Sequence, residues 1–82
     1  MENTGIERQF GLAVRNERRK LALTQEELAD QAGLHRTYVS DVERGKRNLS
    51  IQSIERLARA MNISIGALFA ESEPRPDAPN QC

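Results

Sequence analysis

The chain has 82 residues, with twelve Lys and Arg against twelve Asp and Glu, one His, one Cys and no Trp. That length holds one small domain with a thin core, and no apolar run approaches the roughly 20 residues of a membrane span. Nothing near Met1 reads as a signal peptide, and a lone His35 and a lone Cys82 exclude a disulfide framework and a metal centre built on clustered Cys or His. A small, soluble, cytoplasmic binding domain is the class left standing.

Residues 1–5 read as a frayed start. From Ile6 onward, Ile6, Phe10, Ala13, Val14 and Leu21 recur at helical spacing, and Thr4 with Glu7 forms a candidate capping box. Arg15, Arg18, Arg19 and Lys20 take the opposite face, three of them in the last turn, where cations suit the helix dipole. This helix should end near Ala22. Thr24-Gln25-Glu26-Glu27 is the clearest helix start, with Thr24 as cap and Glu27 reaching back to it. The second helix runs through Leu28, Ala29 and Ala32 to Gly33, a residue suited to a left-handed exit. A third spans about Arg36–Arg44, with Val39 and Val42 inward, and stops at Gly45.

Lys46-Arg47-Asn48-Leu49 is a basic loop, and Ser50 caps a fourth helix whose Ile54, Leu57, Ala58 and Met61 form an i, i+3, i+4, i+7 stripe. Ile65, Leu68 and Phe69 make a fifth, short helix. Residues 72–82 carry three Pro and no apolar period, and read as a disordered tail. The expected architecture is all-α, with five helices over residues 6–71. Charge is uneven along it: residues 15–59 hold ten basic and seven acidic groups, a local +3, so overall neutrality does not exclude a polyanionic partner.

Numbered from Gln25 as position one, apolar residues fall at four (Leu28), eight (Ala32), ten (Leu34), fifteen (Val39) and eighteen (Val42), with Ala29 at five and Gly33 at nine. Two helices crossing steeply through a short turn need a small residue where their backbones approach. They also need a residue tolerating positive φ at the turn, and apolar contacts on the inner faces alone. All seven positions comply with a helix-turn-helix.

On these residues the chain resembles the Cro/C1-type (XRE) helix-turn-helix family over about residues 8–70. The resemblance is carried by Thr24-Gln25, Gly33-Leu34, the run Val39 to Arg47, and Leu68-Phe69. The run His35 to Arg44 with Arg47-Asn48-Leu49-Ser50 resembles more narrowly the controller proteins of restriction–modification systems. Three features depart from the pattern: Ala22 stands where a Gly is usual, His35 where a good cap is common, and the Pro-rich tail is long. The resemblance implies a lambda repressor-like domain that binds operator DNA as a dimer and regulates transcription.

It also implies roles. The third helix enters the major groove, with Arg36, Thr37, Ser40 and Asp41 toward base edges and Arg47 reaching a base from the loop. Arg36 suits guanine O6 and N7, or else is a phosphate contact or a solvated surface arginine. Asp41 either accepts from a cytosine amino group or orients an arginine. Gln25, Lys46 and Asn48 are expected on the DNA backbone, where Tyr38 either joins them or serves packing alone. Arg18 and Glu43 occupy the places of a structural ion pair. Glu26 and Asp30, four residues apart on the second helix, match the acidic positions that meet the polymerase specificity subunit in related phage repressors, or else form a solvated face.

Ile65, Leu68 and Phe69 offer more apolar surface than so small a domain covers by itself, which points to a homodimer. No catalytic constellation or phosphate loop is present in the sequence, and no cofactor or metal is expected. A different class of function, an antitoxin of the same family that binds a toxin protein, would need apolar anchors that the tail, with Ala78 and its prolines, supplies poorly.

Overall fold

Five helices follow one another in the computed structural model, which describes residues 5–72: α1 (Ile6–Lys20), α2 (Gln25–Ala32), α3 (Arg36–Glu43), α4 (Ile51–Ala60) and α5 (Ile65–Ser72). Their starts follow local chemistry. Thr24 Oγ1 accepts from the Glu27 backbone N–H at 3.0 Å while Glu27 Oε1 accepts from the Thr24 N–H at 2.8 Å, a complete capping box. Ser50 Oγ accepts from the Ser53 N–H at 3.1 Å and opens α4. Helix α1 begins after Gly5 with no side-chain cap; Thr4, the expected cap, lies outside the described residues.

The helix ends share one device. The residues after α1, α2, α3 and α4 that turn into the left-handed region are Ala22, Gly33, Gly45 and Asn62, at φ 59°, 71°, 72° and 57°. After α1 the Leu23 N–H donates to Arg18 O at 3.1 Å and the Ala22 N–H to Arg19 O at 3.0 Å, the paired bonds of a Schellman exit. A non-glycine residue there costs about 1–2 kcal/mol. Ala22→Gly should therefore raise stability by about 0.5–1 kcal/mol after the entropy glycine adds to the unfolded chain, or about 2–8 °C in thermal midpoint. A thermal melt that stays put or falls would show that Ala22 is not strained.

The core lies where α1, α2, α3, α4 and α5 converge. Phe10, Val14, Leu28, Val39, Val42, Leu57, Met61 and Leu68 are at most 2% exposed. Each such side chain contributes about 1.5–3 kcal/mol on burial. Two residues assigned to the inner face of α1 are not part of it: Ile6 and Leu21 are 47% and 43% exposed. They sit at the first position of the helix and just past its last, beyond the reach of the helices that cover Phe10 and Val14.

Helix α5 packs along α1 more than on α4, and the Phe69 ring lies 5.2 Å from that of Phe10. Leu68 is fully buried in this contact, so it belongs to the core of its own subunit and cannot face a partner. Ile65 and Phe69 remain half-buried. Ser72, placed at the head of the tail by composition, instead closes α5, its buried hydroxyl donating to Leu68 O at 2.9 Å. The tail expected beyond it lies outside the described residues. Among the described residues no helix is long and apolar enough to cross a membrane.

Candidate nucleic-acid interface

Helices α2 and α3 are joined by the three residues Gly33, Leu34 and His35, with Leu28, Ala29 and Ala32 of one facing Val39 and Val42 of the other inside the core. Burying that side of α3 fixes which side is left outward. Arg36 and Thr37 in its first turn are exposed, and Ser40 and Asp41 one turn on are partly exposed. His35 precedes the helix in an extended conformation and makes no side-chain cap, so the first N–H groups of α3 are not taken by it. Lys46, Arg47 and Asn48 are exposed on the loop that follows.

Several of these side chains converge. Arg44 Nη2 donates to Asp41 Oδ1 at 2.7 Å, and Arg47 Nη2 donates to Asp41 Oδ2 at 3.1 Å. The Arg47 guanidinium lies 4.6 Å from the centre of the Tyr38 ring, a cation–π stack. Hydrogen bonds from Arg44 first and Arg47 second hold the Asp41 carboxyl below the usual carboxylate range. The carboxylate therefore orients arginines in the free protein, the second of the two roles open to it. Beside this cluster runs a groove of about 460 Å³, walled by the turn Gly33–His35, Thr37, Tyr38, Arg47 and Ser53. Ser53 was not singled out in the sequence. Its signal was Ser50-x-x-Ser53 directly after a basic loop, which reads first as a helix cap.

A second cluster lies behind the first. Arg18 Nε donates to Glu43 Oε2 at 2.6 Å and its Nη2 to Oε1 at 3.0 Å, a two-pronged ion pair with the Glu43 side chain 3% exposed. The hydrogen bonds to Glu43 push the Arg18 guanidinium up from its ordinary value against the opposing effect of burial. Arg18 Nη1 also donates to Leu23 O at 2.8 Å. Gln25 Nε2 donates to Glu43 Oε1 at 3.0 Å. One amide hydrogen of Gln25 is thus committed to the fold, and the second is what it can offer to a phosphate.

Glu26 and Asp30 are both exposed on α2, away from its buried face. Arg59 pairs with Glu55 along α4, and Arg56 Nη1 donates to Gly33 O at 3.3 Å, bracing the turn of the motif. No group of three or more His, Cys, Asp or Glu is placed to hold a metal among the described residues.

Residues 14–68 match the model of a family described as helix-turn-helix. Control protein C.BamHI of Bacillus amyloliquefaciens is 47% identical over 55 residues, 66% of this chain and 68% of that one. Control protein C.MunI of a Mycoplasma species is 38% identical over 69 residues, 83% of this chain and 93% of that protein. Among solved structures, the restriction-modification controller protein C.AhdI from Aeromonas hydrophila superposes with a TM-score of 0.74 at 45% identity, covering 76% of this chain and 94% of its own.

Proposed function

This chain belongs to the Cro/C1-type (XRE) helix-turn-helix family of DNA-binding transcription regulators, and from that premise we propose that it acts in the cytoplasm as a homodimer on a pseudo-palindromic operator, controlling restriction–modification genes. The observation that carries the reading is the first turn of α3. Arg36 and Thr37 stand exposed on a helix whose other side is locked into the core, next to the groove beside Tyr38 and Arg47. The likeness to controller proteins over two-thirds of the chain and more supports the choice of genes.

In this reading Arg36 and Thr37 meet base edges first, Ser40 and Arg47 meet them further along, and Gln25, Tyr38, Lys46 and Asn48 hold the DNA backbone. Ile65 and Phe69, half-buried and four residues apart on one face of α5, supply the dimer contact without Leu68. A two-fold axis there sets two recognition helices about 34 Å apart, one turn of DNA. Glu26 and Asp30 leave an acidic face of α2 to the polymerase specificity subunit, should the regulator activate.

Selection of duplexes from a randomised pool, followed by binding to the selected site, tests this. The selected sequence is expected to be a pseudo-palindrome with half-sites one turn apart. Arg36→Ala should lose about 1–3 kcal/mol of discrimination at one base pair per half-site, whereas Lys46→Ala weakens every sequence alike and lowers the salt slope by about 1. Equal losses on selected and random DNA for both variants would leave Arg36 only a phosphate contact.

A further inference from the structure

We infer that Asp41 is a positioning residue for sequence readout: its carboxylate, with the Tyr38 ring, holds Arg47 in one place and so decides which base pair that arginine meets. The inference rests on the proposal that α3 and its following loop read DNA. A carboxylate on a surface that meets phosphate is repelled by it, and needs a compensating use. Here both of its oxygens are occupied, by arginines from two separate places, the residue that follows α3 and the loop beyond it.

Arg47 comes from a stretch, residues 47–49, that lies between the last backbone bond of the α3 exit, from Lys46 N–H to Asp41 O, and the Ser50 cap of α4. A long side chain there would otherwise sample many rotamers and settle on the nearest phosphate. The bond to Asp41 at 3.1 Å and the stack 4.6 Å over Tyr38 hold it on two sides. That bond takes one hydrogen of Nη2, and a guanidinium has five, so a two-pronged approach to guanine O6 and N7 stays open. One negative charge among Arg44, Arg47 and Lys46 leaves the patch cationic while lowering its attraction for unspecific DNA. Specificity rises because the arginine is pre-placed, and background binding falls because part of its charge is neutralised locally.

The experiment selects from a duplex pool randomised over about three helical turns, using the full chain, Asp41→Asn, Arg47→Ala and the double variant, and also measures affinity for an unselected random duplex at low salt. Asp41→Asn is expected to relax preference by about tenfold at one base pair of each half-site, the same pair that Arg47→Ala relaxes. Its affinity for random duplex should rise by about two- to fivefold, the opposite sign, because a charge that repels phosphate is gone. The double variant should be no worse at that base pair than Arg47→Ala alone, since both changes remove one contact.

A parallel loss on selected and random DNA, or a wild-type preference kept by Asp41→Asn, overturns the inference and leaves a surface ion pair. So does additivity in the double variant. If the wild-type chain itself selects no sequence, the DNA-reading proposal falls with it, and that outcome is distinct from the other three.

Discussion

Gly11→Ala is expected to destabilise the domain by about 2 kcal/mol or more and lower its thermal midpoint by about 8–16 °C, although alanine is the better helix former. The site is inside α1 at an ordinary helical conformation, so the cause is space. A Cβ on Gly11 would lie 2.2 Å from Val42 O, 3.0 Å from Glu43 O and 3.1 Å from Glu43 C. All three are backbone atoms of the last turn of α3 and cannot swing aside as a side chain would. Relief requires α3 to move off α1 by about an ångström, which opens the packing around Phe10 and Val42 at a density where voids and strain are both felt. Overpacking of this kind costs about 3 kcal/mol at the upper end of its usual range, against about 1 kcal/mol recovered from helix propensity. Gly66→Ala is the control: it lies in α5 with nothing within 4 Å of its added methyl, and should be neutral or stabilising. If the two variants melt alike, the close approach of α1 to α3 does not limit the fold.

That glycine shows where the sequence stops being legible. Within a helical period, Gly11 reads only as a weak helix former; its reason lies in another helix thirty residues away. The helices themselves were readable because periodicity and capping are local, and Thr24 with Glu27 or Gly33 after Ala32 act within a few residues of where they stand. Periodicity says which face is apolar, but not how far the covering elements reach, which is why it puts Ile6 and Leu21 inside and does not say which of Ile65, Leu68 and Phe69 completes the core.

The candidate interface divides in the same way. The spacing of Val39 and Val42 gives only the inward side of α3; it is the family resemblance that points Arg36 and Thr37 in its first turn toward base edges. The stack of Arg47 on Tyr38 and the link from Gln25 to Glu43 depend on how a loop returns and how two helices cross, and no repeat in the chain encodes either. Ala22 is conspicuous in the sequence because the family pattern has a Gly there, and its φ of 59° gives that oddity its physical content.

Glu43→Ala is expected to cost about 3–5 kcal/mol, as much as the whole stability of many domains of this size, and to leave the chain largely unfolded at 37 °C. The carboxylate ends α3, where the helix dipole disfavours a negative charge, and its side chain is 3% exposed. What makes that placement tolerable is its set of partners: two nitrogens of Arg18 and the amide of Gln25. Removing it strands a guanidinium whose side chain is 11% exposed, and frees the three helices that meet on it. Glu43→Gln keeps the shape but not the charge, so it should fall between the wild type and the alanine variant. The informative partner is Arg18→Met combined with Glu43→Leu, which removes both charges and fills much of the space. It should recover more than half of the loss, because an apolar replacement of a buried pair is often close to neutral. The remainder is the cost of Gln25 and Leu23 O losing their partners; both bonds are only part-buried, so each loss sits at or below the low end of the usual range, about 1 kcal/mol. Urea unfolding of the four proteins measures this directly. A double variant no more stable than Glu43→Ala would mean that the cost lies in the lost hydrogen bonds and packing, not in the stranded charge. Added salt should do little to imitate either change, since screening acts on exposed pairs and this one is sealed between α1, α2 and α3.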